Sequence, residues 1–145
     1  MTIPRRIAAA AMLAGLAVGT ASTVWADPPT MSGHYIETVT DPDSGQTATS
    51  DWYFTPCGGG CAEASFYSGG ENLVSQATLV DGQWTMDADS NAVCADHSVV
   101  PKANSVHYTW DPNTLAGTLK ATNKFAICGY SAPISFSNSI QFRQA

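Results

Sequence analysis

The segment Ile134–Arg143, ISFSNSIQFR, places Ile134, Phe136, Ile140 and Phe142 on one side of an extended chain. Ser135, Ser137, Ser139, Gln141 and Arg143 fall on the other. Period-two alternation of this kind belongs to a β-strand with one buried and one wetted face. The pattern recurs in Ser32–Val39, Thr47–Thr55, Ala62–Tyr67, Leu73–Val80, Gln83–Asp87, Val106–Trp110 and Leu115–Thr122. No window sustains the helical i, i+3, i+4, i+7 spacing. Asp41–Gly45 (DPDSG) and Asp111–Thr114 (DPNT) carry turn chemistry. Asp81-Gly82, set directly between two alternating runs, is a strong hairpin signal. Val93–Lys102 breaks the alternation and is expected to be irregular, with a short strand around Cys94.

About eight strands joined mostly by short turns, with no crossover helix, predict an antiparallel all-β domain. An up-and-down β-barrel is preferred over a β-sandwich, because the connections are local and closure removes exposed edges. The alternation turns Trp52, Phe54, Phe66, Trp84, Tyr108, Trp110, Phe136 and Phe142 inward. Tyr35, Tyr53, Tyr67 and Tyr130 lie off those faces and suit a protein-contact patch.

Four cysteines follow the N-terminal segment: Cys57, Cys61, Cys94 and Cys128. An even number in a small exported domain reads as disulfides, with three possible connectivities. Cys57–Cys61 and Cys94–Cys128 are the expected pairs, since three glycines let the short CGGGC ring close freely. A redox motif would need Cys-x-x-Cys at a helix start, and here the spacing is longer and no helix follows. A zinc site would need two closely spaced ligand pairs, whereas Cys94 has only His97 nearby and Cys128 stands alone.

The N-terminal residues read as an export signal. Arg5 and Arg6 precede an Ala-rich apolar stretch, and Val24-Trp25-Ala26 fits a small-x-Ala cleavage site. Residues 1–26 are therefore expected to be a secretory signal peptide, and 27–145 a single all-β domain, secreted or held in the cell envelope. No membrane span is expected in the mature form. That form carries four bases against twelve acids, a net charge of −8. Such a chain lacks the Lys/Arg patch that nucleic acid requires.

Catalytic motifs are absent: there is no Gly-x-Ser-x-Gly, His-Glu-x-x-His, P-loop or dinucleotide glycine pattern. His34, His97 and His107 occupy separate segments. Asp51 and Glu63 flank the CGGGC ring and would support a hydrolase only if they met across the sheet. Asp87, Asp89 and Asn91 resemble part of a calcium loop without its glycine and distal glutamate. No catalytic residue, metal or cofactor is assigned, and the chain is not read as an enzyme. The inward aromatics allow two readings. In one they are a packed core. In the other the barrel is partly hollow, and Trp52, Trp84, Tyr108 and Trp110 contact a small apolar ligand. The alternative function is a structural or host-facing module that captures a protein partner.

The signal-like start, SGHYIETV, DWYFTPCGGGC, LVDGQWTM and YTWDPNTLAGTL together resemble a group of small secreted mycobacterial proteins. The resemblance covers most of Met31–Phe142. It implies export and two disulfides, and brings no catalytic residues. Similarity to lipocalin-like barrels is at the level of fold. The Gly-x-Trp of lipocalins is replaced here by Gly33-His34-Tyr35.

Overall fold

The computed structural model describes residues 29–131 and 134–145, so the expected signal peptide lies outside the described residues. Eight antiparallel strands close into one barrel in sequence order. They are β1 (Gly33–Thr40), β2 (Thr47–Gly58), β3 (Cys61–Ser68), β4 (Glu71–Val80), β5 (Gln83–Val93), β6 (Val99–Trp110), β7 (Ala116–Asn123) and β8 (Ser135–Gln144). Pairing of β1 with β8, from Tyr35 opposite Gln144 to Thr40 opposite Ser139, closes the cylinder. No helix among the described residues is long and apolar enough to cross a membrane.

Turn chemistry sets the strand ends. Asp81 and Gly82 both take positive φ, 49° and 78°, as the two-residue turn between β4 and β5 requires. The β1–β2 and β6–β7 connections share one device. Asp41 Oδ1 accepts the backbone N–H groups of Asp43 and Ser44, and Asp111 Oδ1 accepts those of Asn113 and Thr114. These bonds hold both carboxyls below the usual carboxylate range.

Two segments differ from the sequence reading. Strand β2 does not stop before Pro56. It runs through the proline to Gly58, with a register shift between Pro56 and Gly58, and the chain reverses at Gly59-Gly60. A bulge tolerates the N–H that proline lacks. The second is the segment expected to hold a short strand around Cys94. Here β5 extends to Val93, Cys94–Ser98 forms the reversal, and β6 begins at Val99. Cys94 N donates to Ser98 O, and His97 N to Cys94 O. The added strand length escapes an alternation test because a register shift between Ser90 and Ala92 breaks the period there.

Both expected disulfides form, Cys57–Cys61 and Cys94–Cys128. They differ in what they join. The first clips the β2–β3 hairpin, and the second ties the β5–β6 reversal to the connection between β7 and β8.

The two ends of the barrel are unlike. At one end, the floor, Met31 plugs the opening just before β1. Above it Trp84 stacks on Trp110, while Phe54 and Phe142 pack against Trp110. Gly117 makes room for Trp110: a Cβ there would meet Thr109 O at 1.9 Å and the Trp110 Cα at 2.7 Å. At the other end, the mouth, the inward positions Leu73, Ser75, Ala88, Ser90 and Asn138 are only half-buried. The outer wall carries the polar halves of the strands, the reverse of a lipid-facing barrel.

Candidate functional site

Three of the four aromatics with which the sequence lined a ligand site are fully enclosed. Trp52, Trp84 and Trp110 are buried against other rings, and Tyr108 is nearly so. Trp52 lies flat on Phe66 with ring centroids 3.9 Å apart, and Tyr108 and Phe142 meet it edge-on at 5.2 Å. These rings fill the lower and middle barrel. The indole N–H groups of Trp84 and Trp110 find no acceptor among the described residues.

The space suited to a ligand lies higher, at the mouth. A cavity of about 540 Å³ is bounded by the β5–β6 reversal, the end of β7, the start of β8 and the chain between β7 and β8. Ile127, Ile134 and Phe136 supply apolar wall, Asn104 and Asn123 polar wall, and the Cys94–Cys128 bridge one edge. Phe136, expected in the core, is 46% exposed here. It occupies an inward position opposite Ala121, so near the start of β8 that no side-chain layer covers it. Asn104 Oδ1 is buried and has no hydrogen-bond partner among the described residues. A buried carbonyl oxygen left unpaired costs about 1–3 kcal/mol, which a ligand donor would recover. Around the mouth, Val93, Val99, Phe125 and Tyr130 are exposed.

Below the mouth stands a group that strand alternation places with Tyr35, off the inward faces. Glu37 points inward with Tyr35 and Val39 and is 3% exposed. One carboxylate oxygen, Oε2, accepts from Ser50 Oγ and Trp52 Nε1, each at 2.9 Å. The other, Oε1, is buried without a partner among the described residues. Burial pushes the Glu37 pKa up, against the opposing pull of the Ser50 and Trp52 bonds. Burial, with the Glu37 charge adding to it, also raises that of Tyr108. Tyr35 is therefore a barrel residue, not part of an outer patch, while Tyr53, Tyr67 and Tyr130 are exposed.

The outer wall holds the remaining ionisable candidates in pairs. His34 Nε2 lies 2.7 Å from Asp51 Oδ1, with the imidazole stacked on Tyr53 at 4.6 Å. His107 Nδ1 lies 2.6 Å from Asp87 Oδ1. Neither imidazole is hydrogen-bonded to a serine, threonine or cysteine side chain among the described residues. Asp51 sits opposite Ile36, and Glu63 opposite Thr55 and Gln76, so the two carboxylates do not meet. Asp89 bonds Lys124 Nζ at 2.6 Å, which holds its pKa down. Asn91 bonds Gly69 O and Lys102 N instead of converging with Asp87 and Asp89. No group of three or more His, Cys, Asp or Glu side chains among the described residues is placed to hold a metal ion.

Strand alternation located the aromatic interior but not the cavity, because the cavity is made by strand ends and loops. The signal for Glu37 was present: it shares a face with Tyr35 and Val39, but the sequence reading sets that face outward, and closure of the barrel turns it inward. No protein-family model, curated protein or solved structure matches the chain. The arrangement is that of a closed β-barrel domain stapled by two disulfides.

Proposed function

We propose that this protein is an extracytoplasmic binding module whose barrel mouth takes a small, largely apolar molecule carrying at least one hydrogen-bond donor. It performs no chemistry on that molecule. The observation that carries this reading is the cavity of about 540 Å³ with Asn104 Oδ1 buried and unpaired in its wall. The volume lies within the range of small-molecule sites, as does a mostly apolar lining with few polar groups. Disulfides fit an oxidising compartment.

The test is native mass spectrometry of the protein from its own host, compared with an Ala92→Trp variant. Ala92 lines the cavity, and an indole there fills it. A small molecule released on denaturation from the natural protein, and missing from the variant, is the expected result. A bare natural chain, or equal retention by the variant, overturns the proposal. A protein-capture role is the second reading, favoured by the exposed Tyr53, Tyr67 and Val74 on the wall formed by β2, β3 and β4. Loss of capture on changing Tyr67 and Val74 to serine, with the fold retained, would decide for it.

A further inference from the structure

We infer that Glu37 is the recognition group for an amine, so that the molecule taken up at the mouth is an amphiphile with a basic nitrogen at one end. This rests on the mouth reading above and names the ligand class. Four observations converge. Glu37 is a carboxylate inside a barrel otherwise lined by aromatic, aliphatic, hydroxyl and amide side chains. Its Oε2 is fully used by Ser50 and Trp52, which fixes the carboxylate plane. Its Oε1 is buried and takes no donor from any described residue. Ser50, which touches Glu37, is only half-buried although it faces inward, so solvent reaches the inner wall beside the carboxylate.

The groups packed around Glu37 offer it no charge. From β2 come Ser50 and Trp52, from β8 Phe142 opposite it, and from β6 Tyr108. Tyr35 lies two residues away on β1 itself. None is a cation, and no Lys, Arg or His among the described residues forms an ion pair with Glu37. An ionised carboxylate in such surroundings is costly unless it is paired. An ammonium supplies both the missing charge and the missing donor. A neutral alcohol supplies the donor only, and a carboxylate ligand is repelled. The alkyl part then lies toward Val39, Ala88 and the apolar side of the mouth cavity. Either probe can donate a hydrogen bond to the carboxylate, but only the ammonium adds Coulomb attraction and neutralises the buried charge, so the amine should be clearly preferred over the alcohol.

The experiment is calorimetric titration of the full mature chain with n-octylamine, 1-octanol and octanoate, which share one tail. At pH 7.5 the expected order is octylamine, octanol, octanoate, with octylamine at least tenfold tighter than octanol. Glu37→Gln keeps an acceptor for Ser50 and Trp52 and removes the charge. It should bring octylamine to within about threefold of octanol. The natural protein gives a second readout independent of that variant. Its amine-to-alcohol ratio should fall toward one as the pH is lowered and Glu37 takes a proton. Equal binding of amine and alcohol at pH 7.5, a preference that survives Glu37→Gln, or a ratio flat with pH overturns the inference and leaves the mouth site standing. Failure of all three probes to bind overturns the mouth reading as well.

Discussion

Removing the Cys94–Cys128 bridge should cost about twice as much stability as removing Cys57–Cys61, although both are single covalent links in the same barrel. The bridges close chain segments of very different length, with sequence separations of 34 and 4 residues. Loop-closure entropy lost from the unfolded chain amounts to roughly 3.8 kcal/mol for the longer and roughly 1.9 kcal/mol for the shorter at 25 °C. For a chain of this size, each kcal/mol moves Tm by about 4 °C. The paired change Cys94→Ala with Cys128→Ala should therefore lower Tm by about 15 °C, and Cys57→Ala with Cys61→Ala by about 7 °C. In urea, with a slope of about 1.5 kcal/mol/M, the midpoints should fall by about 2.5 M and about 1.3 M. Far-ultraviolet circular dichroism under heat and urea reads both. Equal losses, or a larger loss from the small ring, would refute the entropic account. They would mean that contacts in the folded hairpin, not freedom of the unfolded chain, set the value of each bridge.

Two further expectations concern the interior. Trp52→Phe should destabilise the barrel by about 1–2 kcal/mol more than Trp84→Phe, because Trp52 Nε1 donates to Glu37 and Ser50 while Trp84 Nε1 has no acceptor among the described residues; equal urea midpoints for the two variants would contradict this. Glu37→Gln should match the natural protein in stability near pH 4 and exceed it at pH 7.5. Burial raises the Glu37 pKa in the folded state, so its contribution is complete below the unfolded value of about 4.3 and is lost as the pH rises through the folded value. Urea midpoints at the two pH values check the sign, and a variant that is weaker at pH 7.5 than at pH 4 relative to the natural chain refutes it.

The architecture was legible because alternation and turns agree. Trp52, Phe54, Phe66, Trp84, Tyr108, Trp110 and Phe142 all face inward as the period-two reading places them. Asp81-Gly82 turns where a two-residue hairpin needs it. What failed to show has physical causes. At Pro56–Gly58 and at Ser90–Ala92 a register shift breaks the period, so strand continuity across those points could not be read from side-chain type. On β1 the two faces, His34-Ile36-Thr38 and Tyr35-Glu37-Val39, are nearly equal in polarity. Closure against β2 and β8 decides between them, and it decides for the face that buries a carboxylate. The mouth cavity draws on residues from Asn91 to Phe136 and exists only once four chain segments meet.

The placement of the long disulfide follows from the same division of the barrel. At the floor, stacked rings and Met31 hold the strand ends by burial, worth about 25 cal/mol for each Å² of apolar surface removed from water. At the mouth the inward side chains are mostly Ser, Ala and Asn, which bury little, and the larger Leu73 and Phe136 stay partly or largely exposed. The chain there also carries His97 and Cys128 in loops and Lys102 within β6 at positive φ, conformations that cost energy in residues with a Cβ and persist only where the surroundings enforce them. Apolar packing cannot enforce them at an end that is left unfilled. A covalent tie from Cys94 to Cys128 can, because its contribution arises in the unfolded chain and does not depend on what occupies the cavity. The barrel can therefore keep an empty or exchangeable mouth without loosening the strands beneath it. Filling the mouth with larger apolar side chains would stabilise the end by the ordinary route and abolish the space that distinguishes it.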